Sequence, residues 1–144
     1  MVLKKVSNHF PVMGYTQGIN FIIGYLLIIG YSENDAFWIF IHISLNRRYM
    51  FLGLFEDGFP LSSAYVTIFK NVLKRENAIL YDHIYEKLCV DESLWVFKWF
   101  ITYFIYSFPM EMCHYVLDLV ITVGGMGMIT FAIGLVKNVE KNLL

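Results

Sequence analysis

The sequence of 144 residues has room for one domain of about 150 residues and not for two. Hydrophobic residues make up 58% and charged residues only 16%, which excludes a disordered chain or a solvated linker. The 11 Lys and Arg residues nearly balance the 12 Asp and Glu residues, so the net charge of -1 creates no field that would attract nucleic acid. The two cysteines, Cys89 and Cys113, fit reduced thiols in a cytosolic protein better than a disulfide framework.

Hydrophobic periodicity and turn residues predict an all-α fold, a bundle of about six or seven short helices. The first helix is expected at about residues 17–29, with Gly30 at its end. The second begins at residues 32–35, SEND, which have the spacing of a capping box. Pro60 begins a third helix, whose apolar residues recur at helical intervals. We expect these helices to belong to a single domain, residues 1–144.

Four further helices are expected in the second half of the chain. The fourth covers residues 80–88, and the fifth is an aromatic helix over residues 95–106 that ends before Pro109. Pro109 begins the sixth, and the glycines at 124–127 form a turn before the seventh, at residues 128–139. The spacing of the apolar residues predicts that the following side chains lie mostly inside: Trp95, Trp99, Phe100, Phe104 and Leu117.

The mean hydropathy of +0.56 makes a membrane protein an alternative to be weighed. Residues 119–136 form an uncharged apolar run of about 18 residues, the lower limit for a membrane-spanning helix. Three glycines interrupt this run, and the run at residues 19–31 is too short to span a bilayer. We therefore expect that the chain is not an integral membrane protein.

Motifs for metal, phosphate or nucleophilic chemistry are missing from the sequence. There is no HExxH, CxxC, GxSxG or GxxxxGK[ST] pattern, and the glycines at 124–127 lack a preceding strand and a following basic residue. Cys113 and His114 are neighbours on a predicted helix, so their side chains point in different directions. We expect no metal site and no cofactor.

One polar cluster interrupts the apolar pattern just before the first predicted helix. In the stretch GYTQGINF, residues 14–21, a tyrosine, a glutamine and an asparagine lie beside two glycines. A buried helix start does not need these polar side chains. The simplest interpretation is a helix cap whose amides bond only to their own backbone.

The stretch YTQGINF, residues 15–21, resembles the YxQGMN segment of the TBC domain, the family of GTPase-activating proteins for Rab-type small GTPases. The similarity runs from about Ser7 to Val139. Further stretches resemble the family in the same order: ENDAFW (33–38), the aromatic loop from GLF to PL (53–61), WF (99–100), SFPME (107–111) and Asp118.

Two features depart from the family pattern. Leu117 stands where the family has a tryptophan, and no IxxDxxR motif, which supplies the family's catalytic arginine, occurs in the chain. Only 14 residues precede Tyr15, so we expect the domain to be N-terminally incomplete relative to the family. The three arginines match no catalytic position; Arg47 and Arg48, rather than Arg75, would be the first to test as substitutes.

The resemblance implies that Gln17 is the catalytic glutamine finger, whose amide positions the attacking water. It also implies that Tyr15, Thr16, Gly18 and Asn20 contact the partner, with Tyr15 holding the turn. A neutral amide cannot neutralise the phosphate charge that an arginine finger stabilises, an effect worth roughly 10³ to 10⁵ in rate. The chain alone is therefore expected to dock on a GTPase with weak or no acceleration.

Three functional alternatives follow. The first is a Rab-type GTPase-activating domain that binds a GTP-loaded Rab, the second a catalytically inactive TBC-derived binding or structural subunit, and the third a helical membrane protein. We expect a cytoplasmic protein that reaches endomembranes through its GTPase partner. Another protein chain is expected to cover aromatic side chains predicted to be exposed, namely Trp38, Tyr49, Phe51 and Phe55.

Overall fold

The structure, a computed structural model, describes residues 1–49 and 51–144. These residues contain no β-strand, which confirms the predicted all-α class. Seven of the nine α-helices in this part of the chain have six residues or more, in agreement with the predicted bundle. The helices are α1 (Val2–His9), α2 (Ile19–Ile28), α3 (Glu33–Leu45), α4 (Pro60–Glu76), α5 (Ala78–Tyr81), α6 (Val96–Ile101), α7 (Met110–Val123), α8 (Met126–Asn138) and α9 (Glu140–Leu143).

Helix ends that carry a strong local signal lie where the sequence predicts them. The hydroxyl oxygen of Ser32 accepts a hydrogen bond from the Asp35 N–H at 3.1 Å and donates one to the Asp35 carboxylate at 2.6 Å. Pro60 is the first residue of α4, and Gly30 follows α2 with a φ of +104°. Local side-chain chemistry therefore sets the boundaries of the first predicted helices.

Helix α1 was not predicted. It has only one pair of buried residues, Val2 and Val6, which pack into the core, and the helix lies against α2 and α3. An eight-residue helix is marginal by itself in water, so its stability comes from this packing. One pair of apolar residues four positions apart is too weak a pattern to predict it.

The fourth and fifth predicted helices differ from the structure. Residues 80–88 do not form one regular helix, because α5 is followed by a π-helical turn at Asp82–Lys87. Helix α6 ends at Ile101, since Tyr103 and Phe104 adopt left-handed φ angles of +51° and +66°. Each left-handed residue costs about 1–2 kcal/mol, and burial of the Phe104 side chain stabilises the fold by about 1.5–3 kcal/mol. Tertiary packing therefore overrides the helical periodicity here.

The aromatic interior is close to the prediction in the second half of the chain. Phe100 and Phe104 are fully buried, and Trp95, Trp99 and Leu117 are half-buried and packed against the core. The expectation that these side chains lie mostly inside is confirmed.

Two of the four aromatic residues predicted to be exposed are instead in the core. Phe51 and Phe55 are only 1% and 3% exposed, and the Phe51 ring lies 5.1 Å from the Phe55 ring and 5.2 Å from the Tyr103 ring. A 3-10 turn beginning at Phe51 inserts both side chains between α3 and α4. Trp38 is 57% exposed as expected, whereas Tyr49 is half-buried.

The apolar run at residues 119–136 is divided between α7 and α8. Gly124 and Gly125 separate the two helices, while Gly127, expected in the turn, lies inside α8. A side chain at Gly125 would collide with the Tyr65 hydroxyl, so this glycine lets α4 and α8 approach closely. Within the described residues, we find no helix with the length and apolarity needed to cross a membrane.

An ion pair joins the ends of α4 and α8. The Glu76 carboxylate accepts hydrogen bonds from Lys137 at 2.8 Å and from Arg75 at 3.3 Å, and these bonds lower the pKa of the Glu76 carboxyl. The pKa of Glu76 is lower in the folded than in the unfolded state. The ion pair therefore stabilises the folded state at pH values above the unfolded pKa, and this stabilisation is lost as the pH falls through the folded pKa.

We expect Lys137→Ala to raise the Glu76 pKa toward its ordinary value, because Lys137 makes the larger contribution. An NMR pH titration of the Glu76 side chain measures this shift. Lys141→Ala is the control, since Lys141 is exposed and forms no ion pair among the described residues. An unchanged Glu76 titration in Lys137→Ala would contradict the assignment.

Candidate functional site

The polar cluster lies on the segment that joins α1 to α2, where short-range hydrogen bonds fold the backbone. The Gly14 N–H donates to the Phe10 carbonyl at 2.8 Å, and the Thr16 hydroxyl donates to the Met13 carbonyl at 3.3 Å. Tyr15, between these two residues, is 60% exposed. The segment therefore presents the Tyr15 side chain to solvent from a backbone that is held locally.

Gly18 fixes this segment against the end of α6. It has a φ of +115° and is buried, and a Cβ at this position would lie 2.5 Å from the Ile101 carbonyl oxygen and 3.1 Å from the Phe55 ring. Only glycine has both the backbone freedom and the lack of a side chain that this contact requires. Gly18, predicted as a partner contact, is therefore a buried residue that allows the turn to pack on α6.

The two amides of the cluster have different environments. The side-chain oxygen Oδ1 of the half-buried Asn20 accepts a hydrogen bond from the Gly18 N–H at 3.3 Å, so this amide bonds to its own local backbone, as the simplest interpretation describes. Gln17 is exposed, and its side chain makes no hydrogen bond to another residue of the described chain. The interpretation that the amides bond only to their own backbone therefore accounts for Asn20 and not for Gln17, whose amide is free to bind a partner.

A shallow pocket of about 110 Å³ opens beside Gln17. Three of its residues come from the end of α6 and the residue after it, at the i, i+3 and i+4 spacing that places them on one face. Phe21 and Tyr106, whose rings meet edge-to-face at 5.2 Å, form another part of its wall. The pocket, called here the Gln17 pocket, is lined by Gln17, Phe21, Lys98, Ile101, Thr102 and Tyr106.

The cation that lines the Gln17 pocket is Lys98, a residue that the sequence analysis did not identify as a candidate. Arg47 and Arg48 lie beyond the end of α3 and do not line the pocket. The Arg48 guanidinium instead donates to a carbonyl near the end of α7, and Arg75 pairs with its neighbouring glutamate. In the sequence, Lys98 is a single charge inside an apolar run, and nothing there links it to Gln17.

Other candidate chemistry is not assembled in the described residues. No group of three or more His, Cys, Asp or Glu side chains among them is placed to hold a metal ion. Cys113 is buried, and burial raises the pKa of its thiol. His114 is directed elsewhere, because its Nδ1 lies 2.5 Å from the Tyr25 hydroxyl. Cys113 and His114 therefore do not form a nucleophilic pair.

Over residues 1–144, the chain matches the family described as Rab-GTPase-TBC domain. The GTPase-activating protein GYP5 of Saccharomyces cerevisiae is 29% identical over 143 residues, which are 99% of this chain and 16% of that protein. Growth hormone-regulated TBC protein 1 of Homo sapiens is 29% identical over an alignment of 148 positions, and the match covers 99% of this chain and 41% of that protein. The Rab GTPase-activating protein eat-17 of Caenorhabditis elegans is 24% identical, and the match covers 99% of this chain and 16% of that protein.

The chain thus spans less than half the length of each of these relatives. The family match nevertheless covers every position of the chain. From this match we conclude that the chain belongs to the Rab-GTPase-TBC domain family.

Proposed function

We propose that this chain is part of a Rab GTPase-activating domain, which binds a GTP-loaded Rab-family GTPase and presents Gln17 to its nucleotide. The observation that carries this proposal is the exposed Gln17 amide, which bonds to no other described residue although the neighbouring Asn20 amide accepts a hydrogen bond from the Gly18 N–H. Family membership supports the class of partner. Through this GTPase the protein reaches endomembranes.

The reaction to be accelerated is the attack of water on the γ-phosphate of GTP. It requires a water molecule held in line with the breaking bond and neutralisation of the charge that develops on the phosphate oxygens. The Gln17 carbonyl oxygen can accept a hydrogen bond from the water, and its NH₂ group can donate to a phosphate oxygen. Because Gly18 is packed on Ile101, the backbone next to Gln17 is held before the partner binds, which lowers the entropy lost in positioning the amide.

The second requirement is a positive charge near the phosphate oxygens. A GTPase activator supplies this charge, whereas a protein that only binds the GTPase does not. Gln17 is neutral, and no arginine lines its pocket. An arginine in sequence outside these residues would complete an activating domain. Without one, the chain would bind the GTPase and give little acceleration, and this inactive binding or structural subunit is the second candidate function.

Nucleotide-dependent binding tests the proposal. The purified chain is immobilised and exposed to a panel of Rab-family GTPases, each loaded either with a non-hydrolysable GTP analogue or with GDP, and the dissociation constants are measured. We expect at least one Rab to bind about tenfold or more tightly in the GTP form, which corresponds to about 1.4 kcal/mol. Ras- and Arf-family GTPases are the controls. If no Rab distinguishes the two nucleotides, the proposal is wrong.

A further inference from the structure

Among the described residues that line the Gln17 pocket, only Lys98 is charged, and hydrogen bonds hold the backbone that carries it. Its carbonyl accepts hydrogen bonds from the Thr102 hydroxyl at 2.7 Å and from the Thr102 N–H at 3.2 Å. Three residues further along the same helix, the Ile101 carbonyl is in close contact with Gly18. The helix that carries Lys98 is therefore packed directly on the turn that carries Gln17.

The charge of Lys98 is not balanced within the described chain. Lys98 is exposed and forms no ion pair with another described residue. By contrast, Lys70 pairs with a glutamate at 3.3 Å and Lys137 pairs with another at 2.8 Å. The side chain of Lys98, with three donors and no acidic partner, thus lines the same pocket as the exposed Gln17 side chain.

The chemistry of the pocket indicates what would bind there. A lysine is a compact point charge that suits an anionic oxygen, and a charged hydrogen bond formed at a closing interface is stronger than one in bulk water. Ile101 and Phe21 supply apolar walls that would exclude water from such a contact.

We propose that Lys98 is a partner-contact residue, which donates to an anionic oxygen that the GTPase presents beside the point where Gln17 enters. This inference rests on the proposed function. A γ-phosphate oxygen of the bound nucleotide and a carboxylate on the GTPase surface offer the same chemistry, and the two nucleotide states distinguish them because GDP lacks the γ-phosphate.

The test uses the Rab-family GTPase of the panel that binds the wild-type chain most tightly in its GTP-analogue form. We expect Lys98→Ala to weaken this binding about 10-fold or more, as for loss of a charged hydrogen bond, and to reduce its salt dependence. Lys98→Arg keeps the charge and should retain affinity within about threefold. Lys98→Glu should weaken binding more than Lys98→Ala, because it introduces repulsion. The matched control is Lys87→Ala, since Lys87 is exposed and does not line the pocket.

The outcomes separate the two proposals. A loss in Lys98→Ala that occurs with the GTP analogue and not with GDP assigns the contact to the γ-phosphate, which GDP lacks, and an equal loss in both states assigns it to an anionic group that both states share, such as a surface carboxylate. If Lys98→Ala and Lys98→Glu bind like Lys87→Ala, the contact proposed for Lys98 is wrong and the proposed function stands. If the wild-type chain binds no Rab in a nucleotide-dependent way, both proposals fail. Thermal unfolding of each variant shows that the fold is kept, as expected for an exposed side chain.

Discussion

Gln17→Ala is expected to lower GTP hydrolysis by about 10²-fold in a form of the protein extended upstream to include an arginine finger. The Gln17 amide would hold the attacking water in line, and loss of one positioned hydrogen-bonding group at a transition state typically has an effect of this size. Single-turnover release of phosphate from a GTP-loaded Rab measures it. The control is Asn71→Ala, which removes an exposed amide from α4, away from the Gln17 pocket.

The present chain by itself is expected to stimulate hydrolysis little, because no arginine lines the Gln17 pocket. Adding an upstream segment with an IxxDxxR motif should raise the rate by roughly 10³ to 10⁵, the usual contribution of an arginine finger. Full activity of the extended Gln17→Ala form would show that the motif is only a helix cap. Strong activity of the unextended chain would show that a cation within it substitutes, and Lys98 would then be tested before Arg47 or Arg48.

The features that the sequence predicts well depend on neighbouring residues. The capping box at Ser32 and the start of α4 at Pro60 each involve residues within one helical turn, so their chemistry is readable from the sequence. The exposure of Gln17 agrees with the finger role that the family resemblance implies, and the local cap interpretation does not predict it. Its catalytic role stays a prediction.

The features that the sequence does not predict depend on packing between distant residues. Lys98 and Gln17 line one pocket only because α6 packs on the Gly18 turn. Phe51 and Phe55 lie in a glycine-containing loop with acidic residues, a composition typical of the surface, yet both fill the space between α3 and α4. Such contacts have no periodic signal in one sequence.

Gly18→Ala is expected to lower the free energy of unfolding by about 2–6 kcal/mol. A φ of +115° is strained for any residue with a Cβ, at a cost of about 1–3 kcal/mol. The added methyl would also lie 2.5 Å from the Ile101 carbonyl oxygen, a backbone atom of a packed helix that cannot rotate away. Overpacking of this kind costs a further amount of about 1–3 kcal/mol. Chemical denaturation of the wild-type and variant chains measures the difference.

Gly14→Ala is the matched control for Gly18→Ala. Gly14 also has a positive φ, +60°, but a Cβ there would have no neighbour within 4 Å, so only the backbone strain of about 1–2 kcal/mol is expected. The difference between the two variants isolates the contact between the Gly18 turn and α6. Because that contact holds Gln17 beside Lys98, Gly18→Ala should also weaken Rab binding, and Gly14→Ala should do so less. Equal destabilisation by the two substitutions would show that the turn is not fixed on α6, and the positioning assigned to Gly18 would then be wrong.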